Sequence, residues 1–397
     1  MNTISNRTKR IQSIDLLRGL VMVIMALDHV RDYTHHGFLF SNPTDLNTTT
    51  PALFFTRWIT HFCAPVFVFL AGTSAFLYGQ KQENTKTLSK FLFTRGLWLV
   101  FIELTVVNFA WTFDIRLGVH ILQVIWAIGL SMIVLSVCVF LSKKALLVIG
   151  LAIVFLHNTL DNITFSGSSP FNILWYILHQ SNFVPFSNGN MVAFAYPILP
   201  WIGVMILGYC FGSLYKPEFY ASKRKQWLYI LGSSSIVLFI ILRALNIYGD
   251  MGTWSVQKNG LFTFMSFLNT TKYPPSLLYL LMTVGPSLFF LAITESAKGW
   301  LSKALVIIGR VPFFYYIIHL YIVHLIGFIA LNVLGLNWKE YILTPTRFTS
   351  STLASYGFDL WVTYVVWIMV VVMLYPLCQW YQQYKATNPK KWWLSYL

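Results

Sequence analysis

Apolar residues run through this chain in stretches of about twenty, separated by short polar intervals, a length that crosses a ~30 Å hydrocarbon core as a helix. The pattern predicts transmembrane helices near 14–34, 52–79, 92–111, 119–141, 145–159, 193–214, 227–247, 275–294, 305–333 and 359–383. The fifth stretch is short for a span and the ninth is long. The expected fold is all-α: one polytopic transmembrane helical bundle of about ten spans over residues 1–397, because a lipid core tolerates only elements that satisfy their own backbone. The longest polar interval, 160–192, holds the aromatic stretch FNILWYILHQ (171–180), too short to span and expected as an interfacial or re-entrant helix. The intervals 248–274 and 336–358 share its polar-then-aromatic character, and all three either roof a cavity or simply connect helices. No internal repeat is visible, which speaks against an inverted-repeat transporter.

Composition agrees with the pattern. With 56% hydrophobic residues, 10% charged and a mean hydropathy of +0.63, a soluble globular domain is excluded. The formal net charge of +15 would suggest nucleic acid in a soluble protein, but here its distribution explains it. Basic residues gather in alternate intervals: Arg7, Lys9 and Arg10; Lys81, Lys86 and Lys90; Lys143 and Lys144; Lys216, Lys223, Arg224 and Lys225; Lys298 and Lys303; Lys385, Lys390 and Lys391. The other intervals hold only Arg116, Lys258, Lys272, Lys339 and Arg347. The positive-inside bias therefore places the first set and both termini in the cytoplasm. Membrane lipids are the expected partners and nucleic acid is not. The C-terminal KKWWLSYL reads as an anchor at the inner surface. Asp15, Arg18, Asp28 and Arg31 interrupt the first stretch and no small-residue cleavage site follows, so it is expected to stay as the first helix. Cys63, Cys138, Cys210 and Cys378 lie within spans without pairing by spacing, so neither a disulfide framework nor a zinc site is expected.

In that topology all nine histidines fall on the outer side, opposite the basic loops. The first helix ends MALDHVRDYTHH, with Asp28, His29, Arg31, Asp32, His35 and His36 close together. An ionisable group at the bilayer centre costs about 2.5–3.5 kcal/mol on insertion scales, so such groups are functional candidates. Asp28 and Asp32 share a face, as do Asp32 and His36; the alternative is a structural ion pair, Asp28–Arg31 or Asp32–Arg57. Arg57 and His61 are one turn apart on the second helix. Beyond them Pro65 and Gly72 loosen the helix, and Thr73 and Ser74 either meet a ligand or return to the i−4 carbonyl. Glu103 needs a partner, for which Arg95 and Arg243 are candidates. His120 is expected at the outer end of the fourth helix with Gln123 one turn deeper, and Tyr315 lies one turn below His319. His157 and His179 read as outer-edge residues explained by snorkelling or loop solvation. Arg10, Arg18, Arg95 and Arg310 gather at the inner side, where arginine forks match phosphate oxygens, although positive-inside bias also places basic groups there. No Walker loop, GxGxxG, HExxH or GxSxG motif is present.

RIQSIDLLRGLVMVIMALDHVRD followed by TRWITHFCAPVFVFLAGTSAFLYG resembles the heparan-α-glucosaminide N-acetyltransferase-like membrane proteins, and more closely their bacterial branch with a DH-x-RD ending. Arg10, Ser13, Asp15, Arg18 and Gly19 match the start of that family's first helix. Pro65, Phe67, Phe69, Gly72, Thr73 and Ser74 match its second, and HILQVIWAIGLS keeps Leu122 and Gln123 of a third motif. These matches cover roughly 10–130; further on, GRVPFFYYxxH is similar. The acyltransferase-3 family is a more distant relative, with which His29 corresponds best. In the family a histidine after the first helix precedes W-N-G-x-T; here His35 and His36 take that place, followed by GFLFSNPTDLNTTTP.

The resemblance implies an acyl-CoA-dependent acyltransferase of the bacterial cytoplasmic membrane. It would move an acyl group, acetyl above all, from cytosolic acetyl-CoA or another acyl-CoA to a sugar or glycan at the outer face, without a metal. Arg18, Arg95 and Arg310 would hold the donor's phosphates. His29, His36 or His35 would be the general base, with His61 a further candidate, oriented by Asp28 or Asp32. Asp32–His36 and Asp28–His61 are the better-placed pairs. Gln123, Thr73 or Ser74 would donate to the thioester oxygen. The alternative is a proton-coupled transporter or flippase of a lipid-linked sugar or small anion, using the same buried charges as a relay. A homodimer is compatible with either.

Overall fold

Helix α1 (Gln12–Thr34) carries Asp15, Arg18, Asp28, Arg31 and Asp32, and those charges explain its place in the bundle. A helix so charged cannot face lipid, and α1 is instead enclosed by helices from both ends of the chain, with most of its residues buried. The structure is a computed structural model that describes residues 11–36, 42–348, 353 and 356–395. Arg7, Lys9 and Arg10 of the expected inner set lie outside the described residues, as does the end of the KKWWLSYL segment.

From α1 the chain passes to α2 (Pro51–Thr60), α3 (Cys63–Gly79) and α4 (Thr85–Ile102), then through a π turn (Glu103–Val107) into α5 (Asn108–Thr112). Strand β1 (Val119–Leu122) leads to α6 (Val124–Cys138) and α7 (Lys143–Leu156). Next come α8 (Pro170–Leu178), β2 (Asn182–Pro185), β3 (Met191–Phe194), α9 (Leu199–Phe211) and α10 (Ala221–Leu245). The chain ends with α11 (Gly260–Leu268), α12 (Leu277–Ile293), α13 (Trp300–Arg310), α14 (Pro312–Val333), α15 (Pro345–Phe348) and α16 (Leu360–Thr387).

Each apolar stretch in the sequence contains a helix. Among the described residues seven helices are long and apolar enough to cross a membrane: Pro51–Gly79, Thr85–Thr112, Lys143–Leu160, Ala221–Leu245, Leu277–Ser296, Pro312–Val333 and Leu360–Thr387. Helices α6 and α9 are apolar but shorter, and α1 is long but charged. The protein is a helical integral membrane protein. Its rim is apolar: α16 exposes Trp361, Val365, Ile368 and Val372, and α10 exposes Val237, Ile240 and Ile241.

Three details depart from the sequence pattern. The fold is not purely α, because β1, β3 and β2 form a small sheet in that order, β1–β3 parallel and β2–β3 antiparallel. Residues 119–122 and 193–194, read as the ends of spans, belong to two of these strands; apolar, β-branched residues such as Val119 and Ile121 suit either element. The stretch 305–333 is two helices, broken where Val311 precedes Pro312, a residue that opens a helix readily and cannot continue one. The stretch 52–79 is broken at His61. Pro65 has no N–H to give the His61 carbonyl, which accepts from the Tyr279 hydroxyl at 2.7 Å instead.

Helices α1 and α13 touch backbone to backbone. A Cβ added at Gly19 would fall 1.9 Å from the Leu305 carbonyl oxygen, and one added at Gly309 would fall 1.8 Å from that of Asp15. The stretch 248–274 is held differently, by Arg243. Almost fully buried, this side chain donates to the carbonyls of Phe267, Gly252, Ser266 and Asn269 at 2.6–2.9 Å. Arg243→Met should strand those carbonyls and lower stability by about 2–4 kcal/mol. A depressed thermal midpoint in detergent would register it; an unchanged midpoint would remove the clamp role.

Candidate active site

Two cavities lie inside the bundle, lined in part by neighbouring residues of the same elements. The first, about 350 Å³, lies towards the α1 N-terminus and is mainly apolar, with Arg18, Arg95, Arg310 and Lys385 in its wall. The second, about 650 Å³, lies towards the α1 C-terminus and is far more polar. Consecutive residues separate them: Gln123 faces the second, while Val124 and Ile125 face the first. Along α1, Met22 belongs to the first cavity and His29 to the second, about 10 Å of helix rise apart.

Asp15 organises the first cavity's basic wall. Its carboxylate meets Arg18 Nη1 at 3.3 Å and Arg310 Nε at 3.6 Å, bracing the two guanidiniums together. Arg18 also donates to the Ser74 hydroxyl and to the Leu70 carbonyl. Arg95 lies near the Phe91 ring, 6.0 Å from its centroid. Arg18, Arg95 and Arg310 are thus brought together as the sequence suggested, and Ser74 joins them by accepting from Arg18, while its own hydroxyl proton goes to the Leu70 carbonyl and not to a thioester. Thr73 is not among them. It is fully buried, and its hydroxyl is used by the Phe69 and Gly208 carbonyls, so it is a helix-packing residue and no thioester donor.

In the second cavity Asp28 is surrounded by cations. Arg57 bonds one oxygen, Arg31 meets the other at 3.0 Å, and Lys272 stands 4.0 Å away. Arg31 also bonds Asp32 at 2.5 Å. Both aspartates are therefore ion-paired, and neither orients a histidine. Asp28 and His61 line the same cavity without bonding; His61 packs against Tyr279 and its Nδ1 has no partner among the described residues. The Asp32–His36 pair does not form, since exposed His36 turns to Asp359 at 3.9 Å. Nor does His35 reach the cavity: its Nδ1 contacts the Phe358 carbonyl at 3.0 Å, and burial lowers its pKa, as befits a neutral packing residue. The cavity's positive character shows at Tyr273: burial raises its pKa, but Lys272 and Arg57 outweigh that and hold it below its ordinary value.

His29 has the most distinctive surroundings. Its Nδ1 lies 2.7 Å from His319 Nε2, and His319 Nδ1 lies 3.0 Å from the Tyr315 carbonyl oxygen. A carbonyl only accepts, so His319 Nδ1 carries a proton and its Nε2 is the acceptor. His29 Nδ1 then donates to it, which leaves His29 Nε2 as a lone pair without a protein partner among the described residues. This chain of two imidazoles and a carbonyl fixes the tautomer of a would-be base. Sequence reading set His319 beside Tyr315 but could not join it to His29, a residue 290 positions away.

Glu103 also finds an unexpected partner. Neither Arg95 nor Arg243 pairs with it; its carboxylate accepts the Gln123 amide at 2.8 Å and the Trp126 amide. It caps α6, which has no side-chain cap of its own, where the helix dipole favours an acceptor. His120 lies on β1 and not on a helix, half-buried. Buried His157 and His179 bond the Pro275 carbonyl and Asp161, so they fasten loops and do not snorkel. Among the described residues no three of His, Cys, Asp and Glu gather as a metal site would require.

The family model described as heparan-alpha-glucosaminide N-acetyltransferase, catalytic, matches residues 10–248. No curated protein matches the chain. The match spans both arginines Arg18 and Arg95 and the histidine His29; Arg310, Tyr316 and His319 lie beyond it.

Proposed function

The chain belongs to the heparan-α-glucosaminide N-acetyltransferase catalytic family, and on that premise we propose that it transfers an acetyl group from cytosolic acetyl-CoA to a sugar or glycan at the opposite face of a bacterial cytoplasmic membrane. The observation that carries the reading is an arginine-walled apolar cavity next along α1 to a polar one that holds a histidine whose free nitrogen is Nε2. The side bearing Lys143 and Lys144 is the cytoplasmic one by charge bias. Arg18, Arg95 and Arg310 suit the phosphates of the donor, and the apolar walls beyond them suit its uncharged arm. The second cavity, with Asn42, Asn269, Thr271, Trp111 and Tyr273, offers the hydrogen bonds and aromatic faces that a sugar uses. His29 Nε2 takes the proton of the attacking hydroxyl or amine, and His319 keeps that imidazole in the competent tautomer.

Sidedness supplies the test. In oriented vesicles, labelled acetyl-CoA given at the Lys143–Lys144 face should label envelope glycan held at the other face. Arg310→Ala should weaken acetyl-CoA binding by about 1.5–3 kcal/mol, the worth of a charge-assisted bond to phosphate. Labelling only when donor and glycan share a face would overturn the cross-membrane reading, and wild-type affinity in Arg310→Ala would remove the phosphate assignment.

A further inference from the structure

Two buried donors between the cavities are left over by this mechanism. Tyr316, 3% exposed, lines the first cavity, and its hydroxyl closes no hydrogen bond among the described residues. Trp111, 5% exposed, lines the second, and its indole N–H is likewise unsatisfied. The two polar heads face each other, the Trp111 N–H towards the Tyr316 oxygen, close enough to interact but short of a closed hydrogen bond. Both rings stand edge-on to the His29 imidazole, with centroids at 5.0 Å for Trp111 and 6.4 Å for Tyr316. A buried donor without an acceptor costs on the order of 1–3 kcal/mol, and this pair is set apart from other buried Trp and Tyr donors by its place beside His29, where a substrate acceptor would offset that cost. The indole N–H can only donate, and the missing partner is therefore an acceptor. It would sit near the His29 imidazole, between a residue that lines the first cavity and one that lines the second.

We propose that Tyr316 Oη–H and Trp111 Nε1–H grip the carbonyl oxygen of the acyl thioester and hold it as the oxyanion during transfer. The inference rests on the acyl-transfer reading above. His29 Nε2 removes a proton from the acceptor hydroxyl or amine as its oxygen or nitrogen bonds to the thioester carbon. The carbonyl π pair moves onto the oxygen between the two donors. When the pair returns, the C–S bond breaks and the thiolate takes the proton back from His29. Donors placed for the charged oxygen act on the transition state and little on the ground state, so their loss falls on turnover. Gln123 lines the second cavity and not the first, so it is left for the acceptor.

Tyr316→Phe removes one oxygen and nothing else. In the full-length protein, with labelled acetyl-CoA and a saturating extract of bacterial envelope glycan, turnover should fall by about 10²–10³-fold. KM for acetyl-CoA, its Kd and the thermal midpoint should stay at wild-type values. Trp111→Phe should show the same split between kcat and KM. With fluoroacetyl-CoA, whose carbonyl carbon is already electron-poor, the Tyr316→Phe deficit should shrink. A turnover within about tenfold of wild type, or a loss carried by KM or by the midpoint, would overturn the assignment. Absence of transfer by the wild-type protein would instead overturn the acyl-transfer reading beneath it, so the two failures are distinguishable.

Discussion

His29→Gln is expected to lower kcat for acetyl transfer by about 10²–10⁴-fold, while acetyl-CoA binding remains close to wild type. Glutamine keeps a polar group near His319 but offers no nitrogen that can take a proton. The donor's arginines stand about 16 Å of helix rise away at Arg18, too far to feel the change. The measurement is single-turnover transfer from labelled acetyl-CoA beside a direct binding isotherm. Near-normal turnover would move the base to His61, which lines the same cavity with an unpartnered Nδ1. His35→Ala and His36→Ala serve as controls, because one is packed on the Phe358 carbonyl and the other faces solvent near Asp359.

Gly309→Val should leave almost no folded protein. The first atom of any side chain there would overlap the Asp15 carbonyl oxygen, and main chain cannot swing aside as a flexible side chain can. Overpacking of this kind against backbone exceeds the usual 1–3 kcal/mol for a crowded core, and a loss of about 4–5 kcal/mol or more consumes most of a typical domain's stability. Fluorescence-detected size exclusion in detergent would show aggregate in place of a monodisperse peak. Trp300→Ala, on the same helix but exposed, should elute as wild type does. A monodisperse Gly309→Val would mean that α1 and α13 are not in backbone contact.

The bundle was legible because continuous apolar runs leave little choice of element. The small sheet was not, since VHIL and MVAF are apolar in either conformation and only their mutual pairing decides between them. Side-chain partners were legible where they lie a turn apart, as in Asp28–Arg31, and invisible where the partner is backbone. Glu103 caps α6 and Arg243 gathers carbonyls, although sequence reading sought a charge for Glu103 and offered Arg243 to it. The charged cluster on α1 does line the polar cavity, but the sequence could not say which histidine of the cluster enters it. That choice is made by α14, whose His319 meets His29, while the chain after Thr34 turns to meet Phe358 and carries His35 and His36 away.

Backbones that interlock at Gly19 and Gly309 cannot slide or rock past each other. Arg18 and Arg310 are joined through Asp15 across that seam, which ties both guanidiniums to the same close-packed pair of helices. A transport cycle that alternately exposes a central site to each side needs a seam where two halves part, and this helix pair occupies the place beside the first cavity where parting would begin. Under the proposed transfer, a stationary partition would keep the large polar substrates on their own sides, and only the small acyl group would have to change hands through the wall. The membrane's permeability barrier would then be preserved at every stage of turnover, with no closed or occluded state required.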